Sequence, residues 1–169
     1  MNKPNINTIA IPFHKYFDLA PDIDLLKSLQ STNDSTLAIL KNVPKEKEGF
    51  KYEPDKWSLK KVICHLIASD IYFCDLVIRL TKEDSKQTLN YPLDTYDVGQ
   101  NSQKSLPEIN KDFITTRKAT IQFFQDFDTN LIDNIYTING NNYSPVGVGY
   151  IIIGHELHHM NVIQEKYIN

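Results

Sequence analysis

At 169 residues, 41% of them hydrophobic and 11% aromatic, the chain has the length of one domain, residues 1–169, and enough apolar material for one core. A charged fraction of 23% and a formal net charge of -3 lack the concentrated positive charge that a nucleic acid backbone or an anionic lipid surface attracts, so neither is expected as a partner. No stretch approaches the roughly 18 to 20 consecutive apolar residues that cross a bilayer, and the opening MNKPNINTIAIPFHKYF lacks a basic segment followed by a long apolar one; a cytoplasmic location is expected.

Four segments carry apolar residues at helical rather than alternating spacing. The first runs from about Pro21 to Asn42, with Ile23, Leu26, Leu29 or Gln30, Leu37 and Leu40 as its stripe, and Pro44 stops it. The second opens at Ser58, whose hydroxyl suits an N-cap, and continues through Val62, His65, Leu66, Tyr72, Phe73, Leu76 and Val77 to about Thr81. A third begins at Ser105-Leu-Pro-Glu108, a capping residue with Pro in the first turn and Glu three residues on, and buries Phe113, Ile114, Ile121, Phe124 and Phe127. The fourth starts at Ser144-Pro145 and reaches about Tyr167, with Gly147 and Gly149 weakening its first turns.

Between the second and third helices lies a long polar connection, Lys82 to Lys104, of the kind that lets consecutive helices run in the same sense. Tyr136 to Tyr143, around Asn139-Gly140, reads as a tight turn with room for a short hairpin. The expected fold is all-α: a four-helix bundle with a long crossover connection between helices 2 and 3.

Five histidines occur, and three fall in the run His155-Glu156-Leu157-His158-His159. Residues four apart on a helix project from one face, so His155 and His159 can offer two imidazoles to one metal ion. The stripe through His159 takes in Val148, Ile152, His155, Val162 and Ile163, whereas that through His158 takes in Gly154, Asn161 and Glu165, which read as solvated. His155 with His159 is therefore preferred over the competing pair of His155 with His158. His65 is the remaining histidine on an apolar helix face and supplies a third ligand from another helix. His14 lies in a segment of weak helical signal and reads as a surface or partner contact. Buried histidines that only hydrogen-bond a carbonyl remain the competing reading.

Cys64 and Cys74 fall on one helix, about 15 Å apart at ~1.5 Å per residue, too far for a disulfide. They read as two small buried thiols in a reducing compartment. A Cys64 thiolate beside a metal is the minor alternative.

Trp57-Ser58, His65-Leu66 and the terminal Gly154-His155-x-x-His158-His159, in that order, give the chain a pattern that resembles the DinB-like superfamily of metal-binding four-helix proteins. That group includes the bacillithiol S-transferases and resembles mycothiol-dependent maleylpyruvate isomerases. The resemblance implies His65, His155 and His159 as ligands of a divalent metal, zinc or nickel before iron or others, in a homodimer. It leaves Trp57 chiefly as an anchor before the second helix, with a substrate contact as the alternative. It also places an arginine where Arg117 stands, for which a surface salt bridge is an equal or better reading. Lys60-Lys61 depart from relatives that carry an acidic residue there, and no residue marks a particular thiol.

Three functions compete. In the first, a low-molecular-weight thiol binds the ion as thiolate and attacks an electrophilic carbon, a thiol S-transferase-type reaction. In the second, water takes its place and the protein is a hydrolase. The third is a stress-related metal-binding protein without turnover, which an open three-histidine site suits less well, because structural sites are usually closed by four protein ligands. Glu156, Asp70 and Tyr72 are the near candidates for a base, and none is assigned.

Overall fold

The computed structural model describes residues 1–82 and 103–168. Its frame is α1 (His14–Leu19), α2 (Leu25–Lys41), α3 (Leu59–Thr81), α4 (Leu106–Gln125) and α5 (Pro145–Ile163), with a two-stranded hairpin of β1 (Tyr136–Ile138) and β2 (Asn141–Tyr143) before α5. The four long helices form the bundle, and α1 lies against α5.

Local chemistry sets the helix starts. Ser58 Oγ accepts from the Lys61 amide at 3.3 Å, and Ser144 Oγ accepts from the Gly147 amide at 3.2 Å. At α4, Glu108 reaches back to accept from the Ser105 amide at 2.8 Å. α2 starts at Leu25 rather than Pro21, because Asp24 accepts from the Lys27 amide at 3.2 Å and fixes the cap there. In the hairpin, Asn139 (φ 51°) and Gly140 (φ 76°) both adopt the left-handed conformation that a two-residue turn between twisted strands requires.

The core has two apolar halves. One holds Leu25 and Leu29, Phe73 to Leu80, Phe124, and Val146 to Ile153. The other holds Leu40, Leu59 to Ile67, Leu106 to Phe113, and Met160 to Tyr167. α2 and α5 therefore run from the first half to the second, and α3 and α4 run the opposite way. The consecutive helices α3 and α4 share a direction, as the expected crossover demands; most of that connection, 83–102, lies outside the described residues. Each of α2 and α3 packs against both α4 and α5.

Between the halves lies a polar layer to which every long helix contributes: Thr32 and Thr36, Ser69 and Asp70, Arg117 and Thr120, His155 and Glu156, all buried. This layer corrects the expected stripe of α2. Ile23 is 49% exposed and precedes the helix, and the buried residues between Leu29 and Leu40 are Thr32, Asn33 and Thr36, of which Thr32 donates to carbonyls of its own helix and Thr36 to Glu156. In α4, likewise, Phe113 and Phe124 are buried as expected, but Ile114 and Ile121 are only half-buried. α5 is buried on every side from Pro145 to Glu156, which marks it as the bundle's innermost helix.

Candidate metal centre

His65 comes from α3, and His155 and His159 come from successive turns of α5, at the level of the polar layer. His155 Nε2 stands 3.2 Å from His65 Nε2 and 3.1 Å from His159 Nε2, and the ligand nitrogens of all three lie within 4.8 Å of one another. An imidazole Nε2 is either a donor or an acceptor, so one His155 nitrogen serves two neighbouring nitrogens poorly through hydrogen bonds. One cation serves all three. Two nitrogens bound at 2.0–2.1 Å to a tetrahedral ion stand roughly 3.3 Å apart, close to the spacing here. The donor set therefore fits a divalent ion.

The surroundings keep the two α5 rings neutral. Burial first, then the neighbouring histidines, push His155 well below the usual imidazole range and His159 down to about 3. Neutral imidazole is the form that binds metal. The Trp57 ring lies 4.9 Å from that of His65, and Phe73 lies 6.2 Å from His155.

His158 stays outside the cluster, half-buried, with its ring edge-on to His159 at 5.1 Å. Asn161 and Glu165 on its face are exposed as expected, but Gly154 is buried. The reason is α1, which the sequence signalled weakly. A Cβ on Gly154 would overlap the backbone carbonyl of Tyr16, so the missing side chain lets α1 dock directly on α5. Tyr16 then packs 4.9 Å from the His155 ring and 5.4 Å from that of His158. Sequence reasoning missed Tyr16; the glycine just before His155 was the available signal. His14, also in α1, is half-buried and bonds through Nε2 to the Ile9 carbonyl at 3.0 Å.

Arg117 overturns the surface salt-bridge reading. It is 1% exposed, and it donates from Nε and Nη2 to the two oxygens of Asp70 at 2.9 and 3.1 Å and from Nη1 to Glu156 at 2.7 Å. Thr120 completes the Asp70 side at 3.1 Å, and Thr36 the Glu156 side at 2.7 Å. All four bundle helices meet in this one knot. Two of the three candidate bases are thereby committed to a guanidinium, and burial raises the third, the Tyr72 phenol. Cys64 takes no part in the cluster; burial pushes its thiol up and, with Asp70, pushes that of Cys74 up to about 12.

Beside the histidines, a cavity of about 250 Å³ is walled by Trp57, His158 and His159. A larger one, about 690 Å³ and lined by Leu40, Leu106 and Ile114, touches no histidine.

A bundle whose consecutive second and third long helices run the same way, with three convergent histidines at mid-height, defines a class of metal-site helical protein. The chain belongs to the DinB superfamily, which it matches over residues 28–163. No curated protein sequence matches it. Among solved structures, YfiT from Bacillus subtilis is similar with a TM-score of 0.70 at 10% identity, over 83% of this chain and 82% of that one; it is described as a probable metal-dependent hydrolase with an unusual four-helix bundle topology. The DinB-like protein YjoA from the same organism is similar with a TM-score of 0.59 at 15% identity, over 83% of this chain and 87% of that one. At such identities the likeness shows the fold alone.

Proposed function

We propose that the chain is a metal-dependent transferase that joins a low-molecular-weight thiol to an electrophilic carbon, with a divalent ion, zinc or nickel, held by His65, His155 and His159. Such an ion supplies Lewis acidity, which lowers the pKa of a bound thiol and favours the nucleophilic thiolate. The reaction forms a sulfur–carbon bond as the bond from that carbon to its leaving group breaks; the leaving group keeps the electron pair, and the thiol proton passes to solvent.

One observation favours thiol over water. Asp70 and Glu156, the buried carboxylates of the polar layer among the described residues, both accept hydrogen bonds from Arg117. Hydrolysis of an ester or amide also needs a proton carried to the leaving group, a task for a carboxylate outside such an ion pair or for His158 beside His159. A thiol, with a free pKa of ~8.5, would be held as thiolate by such an ion and would need no base for its attack. The hydrolase reading remains the alternative, supported by the description of YfiT.

The chain's own residues supply the rest. Tyr16 and Phe73 shield His155 and help to keep it neutral, Trp57 packs on His65, and the Arg117 knot fixes α3 against α5. None of the described helices is long and apolar enough to cross a membrane. A homodimer in the cytoplasm completes the proposal. The test is a cobalt-loaded sample mixed with cellular thiols: a sulfur-to-metal charge-transfer band and conjugation to a model electrophile support it, whereas cleavage of an ester or amide with no such band overturns it for the hydrolase.

A further inference from the structure

We propose that the cavity beside His159 is a binding site for one neutral aromatic ring, the flat apolar group of the electrophile; this rests on the transferase reading. Its walls come from both sides of the histidine cluster. Trp57 precedes the cap of α3, Val62 lies one turn inside that helix, Val162 closes α5, and Tyr167 follows in the turn Gln164–Ile168. Tyr52 completes the aromatic side, nearly perpendicular to Tyr167 at 87° and 5.2 Å.

These rings are held before anything binds. Tyr167 is 1% exposed, and its hydroxyl donates to the Trp57 carbonyl at 2.7 Å. The indole is fixed by His65 at 4.9 Å and by the Lys61 ammonium at 4.9 Å from its centroid. Preorganised aromatic walls lose little entropy on binding and reward an aromatic guest with edge-to-face contacts. The charged residues that line the cavity, Asp55 and Lys56, are both exposed and of opposite sign, so neither charge selects the guest. At about 250 Å³ the cavity is smaller than the 300–1,000 Å³ of typical ligand pockets, which limits the occupant to about one ring. Because His159 forms part of the wall, a ring seated there carries its substituent to the edge of the metal centre.

Trp57 is the single tryptophan of the chain, so fluorescence reports directly on this cavity. In zinc-loaded full-length protein, benzyl alcohol should change that fluorescence saturably and bind roughly 2- to 10-fold tighter than cyclohexylmethanol, its saturated counterpart. Val162→Phe, which fills the cavity, should abolish the change, and Tyr52→Ala should weaken binding several-fold with the fluorophore intact. Equal affinity for the two alcohols, or a response undiminished in both variants, overturns the ring site. A second measurement separates this from the reaction: benzyl chloride and 1-chlorobutane compete for 2-mercaptoethanol, with each rate referred to its uncatalysed value. Preference for benzyl chloride supports the ring site. If benzyl alcohol binds as expected but neither chloride is conjugated, the ring site stands and the transferase reading falls. Equal acceleration of both chlorides overturns the ring site and leaves the transferase reading in place.

Discussion

The backbone carbonyl of Tyr16 in α1 fills the space that a side chain on Gly154 of α5 would need. A methyl group there must displace backbone, so Gly154→Ala is expected to cost at least about 2 kcal/mol, despite the roughly 1 kcal/mol that alanine gains in helix propensity. Gly147→Ala makes a comparison within the same helix, because its added methyl meets only side-chain atoms, Ile9 Cδ1 and the capping Ser144 Oγ, and so costs a displaced methyl and a weakened cap rather than moved backbone. Urea unfolding of both variants should rank Gly154→Ala as the more destabilised. Equal losses would mean that α1 does not dock as described.

Arg117 is a second point of tension, because it neutralises one of the two buried carboxylates it binds and hydrogen-bonds both. Arg117→Met strands Asp70 and Glu156 in the core and should cost about 3–5 kcal/mol. Adding Asp70→Asn and Glu156→Gln removes the stranded charges and should restore a large part of that loss. Denaturant midpoints of the single and triple variants decide the matter; a triple variant no more stable than the single one would show that burial of charge is not what Arg117 answers.

The depressed histidines set a direction with pH. His159 falls from 6.5 to about 3 in the folded protein, so the unfolded chain binds the extra proton first as pH drops. Its contribution is fully present above pH 6.5 and is lost between pH 6.5 and about 3, at up to ~1.4 kcal/mol per pH unit. In chelator-treated protein, the drop in stability from pH 7 to pH 5 should therefore be about 2 kcal/mol larger for wild type than for His159→Ala. Identical drops would contradict a buried neutral His159.

How much of this was legible in the sequence depended on whether the signal was local. Ser58, Ser105 and Ser144 announced their helices because capping chemistry is contained within one turn. His155 and His159 were legible as a pair because helical period alone sets their spacing, and the Asn139-Gly140 turn because its backbone conformation follows from its residues. The knot was not legible. Thr36 and Glu156, 120 residues apart, carry no local mark of a shared contact, and only the meeting of four helices makes them one buried network. The docking of α1 was hidden for a similar reason, since a glycine in a helix reads as weakness until a partner backbone occupies the vacant space.

The central claim is that His65, His155 and His159 together hold one divalent ion, and metal content tests it most directly. Wild-type protein loaded with zinc and freed of excess should retain one ion per chain by elemental analysis. His65→Ala, His155→Ala and His159→Ala should each weaken binding by more than the roughly 10- to 100-fold that loss of an outer hydrogen-bond partner costs, whereas His158→Ala and His14→Ala should retain the ion. Full occupancy in any of the first three variants, with folding intact by circular dichroism, would contradict the account.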